Sequence, residues 1–157
     1  MQNRLAPTII AICLCVAGAF AGPLEDGAAA YQSGDYSKAL RLWQPLAQQG
    51  SAPAEYGVGM IYDLGMGVRQ DYAEAAKWYR LAAEQGYSFG QLGLGSLYWA
   101  GRSLPQDDVA AYMWFSLAAA QGLADAVKLR DLTAQSMTKD ELAKARKLVQ
   151  AWKPSAR

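Results

Sequence analysis

The sequence repeats itself at a step of 36 residues, and no other feature limits so strongly what it can fold into. Gly50, Gly86 and Gly122 stand 36 apart, as do Asp35, Asp71 and Asp107. The same step joins Ala39, Ala75 and Ala111, the aromatic residues Trp43, Tyr79 and Phe115, and Ala47, Ala83 and Ala119. Gly59, Tyr62 and Gly65 recur as Gly95, Tyr98 and Gly101. A chain periodic at this length is built from copies of one supersecondary unit, each burying its apolar side against its neighbours.

Each copy reads as two helices. In the clearest copy the first spans residues 53–64, with Ala54, Val58, Ile61 and Tyr62 at the spacing of one helical face. Gly65 and Gly67 end it. Asp71 then stands at an N-cap, three residues before Glu74, in the pattern of a capping box. The second helix places Ala75, Trp78, Tyr79, Ala82 and Ala83 on one broad face, and Gly86 supplies the stop. The next copy repeats this with Asp107, Ala111, Trp114, Phe115, Ala118, Ala119 and Gly122. Glycine inside a helix costs about 1 kcal/mol relative to alanine. Gly59 and Gly95 are therefore expected where helices approach closely beneath bulky Trp and Tyr faces.

Partial copies flank these two. Residues 24–50 have a shorter connection, Ser33-Gly34-Asp35-Tyr36. After Gly122, residues 123–134 form a first helix, and Thr138 and Glu141 make a second capping box. The closing helix carries Leu142, Ala145, Val149 and Trp152 on one side, in the divergent pattern of a terminal cap. No stretch alternates as a strand does. The expected fold is all-α, an α-solenoid of helix-turn-helix repeats with about four helical pairs, at 24–50, 52–86, 88–122 and 123–152. They form a single domain over residues 22–157.

The first 21 residues are expected to stand outside that domain. Arg4 is the only charge before Glu25, and an apolar run from Ile9 to Phe20 lies between them, ending in Ala19-Phe20-Ala21. This is the layout of a secretory signal peptide cleaved after Ala21. The run is shorter than the roughly 20 apolar residues of a stable membrane span. A lipoprotein signal needs a small residue just before its cysteine, where Ile12 and Leu14 stand. Cleavage leaves a periplasmic or secreted chain of 136 residues with 14 basic and 14 acidic side chains and no cysteine. No membrane span is expected to remain. Without a disulfide, stability has to come from packing.

The composition also excludes chemistry. The sequence has no histidine, which rules out imidazole triads, histidine-containing zinc sites and a histidine pH switch. A formal net charge of +1 lacks the basic face of a nucleic-acid binder. Glu25-Asp26 and Asp107-Asp108 are adjacent carboxylates, but Asp107 belongs to a repeat N-cap and Asp108 to the first turn beside the helix dipole. No Ser-x-x-Lys or Gly-x-Ser-x-Gly pattern is present. Six basic and two acidic residues between Lys139 and Arg157 suit a solvated helix face, or contact with an anionic surface or a partner. No catalytic residue, metal ligand or cofactor is expected.

Ala54, Val58-Gly59, Tyr62, Gly65-Met66-Gly67-Val68-Arg69-Gln70-Asp71, Ala75, Trp78-Tyr79 and Ala82-Ala83-Glu84-Gln85-Gly86 together resemble the Sel-one-like repeat (SLR), a relative of the tetratricopeptide repeat. The Gly-x-Gly-Val loop and the Ala-Ala-Glu-Gln-Gly ending carry the likeness. The second copy departs from it with Gly90 for alanine, Ser103-Leu104 for Gly-Val and Ala120 for glutamate. The first pair is similar to a plain tetratricopeptide repeat because its loop is short. Counting partial copies, the resemblance extends over residues 24–152.

The resemblance implies a binding role. Proteins of this kind act as adaptors, and exported bacterial ones regulate envelope or signalling complexes. Cysteine-rich relatives linked to β-lactam or cell-wall chemistry hold a disulfide in each repeat, which this chain lacks. In such stacks the first helix of each pair lines a concave surface. By position, its partner-facing side chains here are Tyr56, Met60 and Asp63, then Leu92, Ser96 and Trp99, with Tyr31 extending the row. Exposed tyrosine and tryptophan suit capture of a protein or peptide. The competing assignment is packing against the neighbouring pair or the C-terminal helix. An adaptor is thus expected; the alternative is a cell-wall enzyme or its accessory subunit.

Overall fold

The structure, a computed structural model, describes residues 22–155. Among them are eight helices and no strand: α1 (Pro23–Gln32), α2 (Tyr36–Gln48), α3 (Ala52–Leu64), α4 (Tyr72–Glu84), α5 (Ser88–Ala100), α6 (Asp108–Ala120), α7 (Ala124–Ser136) and α8 (Lys139–Ala151). Residues 1–21, where the signal peptide is expected, lie outside the described residues. No helix among the described residues is long and apolar enough to cross a membrane.

The three aspartates at the repeat step start three helices. Asp35 accepts from the Lys38 amide at 3.0 Å, Asp71 from the amides of Ala73 and Glu74 at 2.9 and 3.1 Å, and Asp107 from Ala110 at 2.9 Å. The box expected at Asp71 is only half formed. Glu74 does not reach back to the cap; its carboxylate meets Lys77, one turn on, at 3.3 Å. The reciprocal box forms at Thr138, whose amide donates to Glu141 at 2.8 Å while its hydroxyl accepts from the Glu141 amide at 3.3 Å. One turn residue breaks the usual rule. Ser103 has φ 61°, where the preceding copy places Gly67 at φ 70°.

From α1 to α7 each helix packs on the next, and α3 also meets α5. This gives two layers, the first helices of the pairs (α1, α3, α5, α7) and the second helices (α2, α4, α6). One core gathers Ala39, Trp43, Val58, Ile61 and Trp78 between the first two pairs. A second gathers Ala75, Tyr79, Leu94 and Leu97 between the second and third pairs.

A ring set between two glycines joins successive pairs. The Tyr79 ring lies between α3 and α5: a Cβ at Gly59 would come within 2.7 Å of it, and one at Gly93 within 2.9 Å. Trp43 sits likewise between Gly27 and Gly57, where a Cβ would come within 2.6 Å on the Gly57 side. Phe115 covers Gly95 at 2.8 Å, but Leu129 stands where a second glycine would be. Close approach at Gly59 and Gly95 is as the sequence suggests, although the covering rings are Tyr79 and Phe115. Gly57 and Gly93 are the partners that the repeat pattern alone does not single out.

Glutamine side chains add a polar joint with the same period. Gln85, after α4, donates to the buried Glu55 carboxylate at 2.7 Å. One repeat later Gln121 donates to buried Gln91 at 2.9 Å. Burial makes such pairs costly to break, because each lost partner leaves a desolvated group behind.

The last pair is built differently. α8 packs on α6 instead of against α7. Ala145 is buried, and Leu142 and Val149 are half-buried, as expected of its inner side. Trp152 keeps its amide on the Leu148 carbonyl at 3.0 Å and packs toward α6 with that side. It follows the helix in extended conformation, and its ring meets Trp114 edge-on with centroids 6.3 Å apart. The chain then crosses to the end of α4, where Ser155 donates its amide to the Glu84 carbonyl at 2.8 Å.

Candidate partner-binding face

The residues expected to face a partner fall in two rows on α3 and α5, which lie against each other. On α3 the row is Tyr56, Met60 and Asp63, each half-buried; on α5 it is Phe89, Leu92, Ser96 and Trp99. Spacings of four and three residues keep each row on one helical face. Trp99 is 37% exposed and Phe89 41%. Trp99 stands at the repeat position that Asp63 holds on α3.

Packing and exposure divide the candidates. Tyr56 stacks on Tyr79 with centroids 5.7 Å apart, and meets Tyr87 and Phe89 at 5.9 and 5.6 Å. Tyr31 leans on Trp43 at 5.9 Å and meets Tyr36 edge-on at 5.3 Å. Met60 packs against both cores. Ser96 turns to its own helix, donating to the Leu92 carbonyl at 2.9 Å. The Tyr79 hydroxyl crosses from α4 to donate to Asp63 at 3.1 Å.

The electrostatics follow from this partial burial. Asp63 titrates above the usual carboxylate range because burial disfavours its charge, against the opposing effects of the Tyr79 hydrogen bond and the positive charge of Arg102. Tyr79 is pushed far up by burial and then by the Asp63 charge, so its hydroxyl remains a donor. Burial also raises Tyr56, with smaller contributions from Tyr87, Tyr31 and Asp63. Tyr31 is raised by burial and by Tyr36, and Tyr87 by burial. These mutual effects unite Tyr31, Tyr56 and Asp63 around Tyr79.

Tyr87 and Phe89 belong to this cluster but not to the row expected from tetratricopeptide geometry. Their signal in the sequence is a break in the repeat. Tyr87 replaces Ser51 at the N-cap before α5, and Phe89 replaces Pro53. The adjacent carboxylates are occupied elsewhere: Asp107 caps α6, and Asp108 accepts from Ser136 at 2.8 Å. Among the described residues no group of three or more His, Cys, Asp or Glu is arranged to hold a metal ion.

The repeat unit with these features matches the Sel1 repeat over residues 22–51, 52–87 and 88–123. The chain belongs to the Sel1 repeat family. Two solved structures share this Sel1 fold. One is c5321, a protective antigen present in uropathogenic Escherichia coli strains and displaying an SLR fold. It is 30% identical, with a TM-score of 0.79 over 83% of this chain and 29% of its own. The other is a Sel1 repeat protein from Oxalobacter formigenes, 30% identical, with a TM-score of 0.65 over 80% of this chain and 54% of its own. The present chain thus spans less than two thirds of either. No curated protein matches the sequence.

Proposed function

We propose that this Sel1 repeat chain is a non-catalytic adaptor that captures a protein or peptide segment on the open face of its first-helix layer. Sel1 repeats in general mediate protein–protein interaction, and membership of that family supports the broad class. The observation that carries the reading is the row of Phe89, Leu92 and Trp99 beside Tyr56 and Met60, which offers large apolar anchors on two adjacent helices. Aromatic anchors bury much area at a small cost in side-chain freedom. Tyr31, Asp63 and Ser96 complete the face at its edges.

We assign the site of action to the bacterial envelope or beyond, on the basis of the signal-peptide pattern in residues 1–21. Cell fractionation with N-terminal sequencing checks this: the expected mature start is Gly22. Crosslinking in cells from position 99, with position 77 on the opposite layer as control, tests the adaptor role. A partner caught from 99 but not from 77, and lost in Trp99→Ala with helical content intact, is the expected result. Equal recovery of that partner by wild type and Trp99→Ala overturns it.

A further inference from the structure

Basic side chains are absent from the first helices of the first three pairs. α1, α3 and α5 carry Glu25, Asp26, Glu55 and Asp63 and not one lysine or arginine. The cations of the second-helix layer are Lys38 and Arg41 on α2, and Lys77 and Arg80 on α4. Glu55 is buried against Gln85 and α5 carries no acid, so Asp63 is the carboxylate of the α3 and α5 rows, and those helices set no cation beside it.

Asp63 is the carboxylate set into that face. Its hydrogen-bond donor is the Tyr79 hydroxyl at 3.1 Å, and among the described residues it forms no ion pair. Arg102 is near enough to act on its titration. Its guanidinium, however, lies over the Tyr72 ring, 5.2 Å from the centroid. Tyr56 is two turns back along α3, about 10 Å by helical rise. There it opens onto Tyr87 and exposed Phe89.

We propose that the partner segment is basic: a lysine or arginine meets Asp63, and an apolar side chain about three residues along an extended chain meets Tyr56 and Phe89. About 10 Å is what three residues of extended backbone cover. A carboxylate that is half desolvated and has only a neutral donor gains more from a cation than a fully hydrated one does. An acidic segment would meet the like charge of Asp63 and find no cation on α1, α3 or α5. This rests on the adaptor reading and narrows it to a partner chemistry.

Selection from a random peptide library displayed on phage tests it, using the whole chain as bait with Asp63→Asn and Asp63→Lys as variants. Circular dichroism first establishes that both variants keep their helical content. Wild type is expected to enrich lysine or arginine with an apolar residue three positions away. The best such peptide, made synthetically, is expected to bind Asp63→Asn roughly tenfold more weakly or worse and Asp63→Lys not at all. If Trp99-dependent peptides emerge without basic enrichment, or bind all three chains alike, the charge assignment fails while the adaptor reading stands. If no peptide is enriched, both fail.

Discussion

The Tyr79 hydroxyl on α4 donates to the Asp63 carboxylate on α3 at 3.1 Å, joining the core of the repeat to its open face. Tyr79 is 3% exposed, so its ring belongs to packing and its oxygen to the site. Tyr79→Phe keeps the ring but leaves a half-buried carboxylate without its donor. The expected loss is about 1.5–3 kcal/mol in urea unfolding, the range for a hydrogen bond to a charged group. Wild-type stability in the variant would show that water replaces the hydroxyl at no cost.

Asp63 gives the protein a particular pH dependence. Its folded pKa is raised, by burial first, so between the ordinary carboxylate range and that raised value the native state holds its proton more tightly than the unfolded chain. Stability drawn from this group is present at low pH and is lost as pH rises through the window. Asp63→Asn removes the effect. Wild type minus Asp63→Asn in melting temperature is expected to fall from about pH 4 upward and then level off. A difference that rises with pH contradicts the assignment.

The Tyr79 ring has no room to retreat, because α3 lies on one side and α5 on the other. Gly93→Ala places a Cβ 2.9 Å from the ring, and overpacking of this kind costs about 1–3 kcal/mol. Gly59→Leu is expected to do more, lowering the circular dichroism melting temperature sharply or preventing folding. An unchanged melting temperature in both variants excludes the ring-between-glycines account.

Ser103 is the non-glycine residue held at positive φ among the described residues, and its side chain is exposed. Left-handed backbone costs a non-glycine residue about 1–2 kcal/mol, partly offset by the extra freedom glycine loses on folding. Ser103→Gly, which restores the residue type of Gly67, is expected to stabilise the chain by about 0.5–1 kcal/mol in urea unfolding. A destabilised variant would point to a role for the serine side chain.

The 36-residue step, the three N-cap aspartates and the apolar stripes are enough to determine an all-α repeat with its helices nearly in place, because these are local signals that every copy restates. Departures from the repeat, such as Ser103, Tyr87 and Phe89, are just as legible, but the sequence gives no reason for them. Whether Tyr56 packs or stands free depends on Tyr79, Tyr87 and Phe89, which come from two other elements. The half-formed box at Asp71 follows from the cap amide, which donates to the Tyr62 carbonyl at 2.9 Å and leaves Glu74 to Lys77.

Tertiary structure alone decided the rest, since it arises between residues that no period relates. Gly59 and Gly93 share the Tyr79 ring only because α5 returns beside α3. Asp63 is set apart from a surface carboxylate by a hydroxyl from the neighbouring helix. Trp152, read from the sequence as one more inner residue of a closing helix, caps α8 and meets Trp114 of α6, and just beyond it the chain turns to tie Ser155 to Glu84. Periodicity fixes which face of a helix is apolar; only the assembled layers settle which neighbour covers it and what is left for a partner.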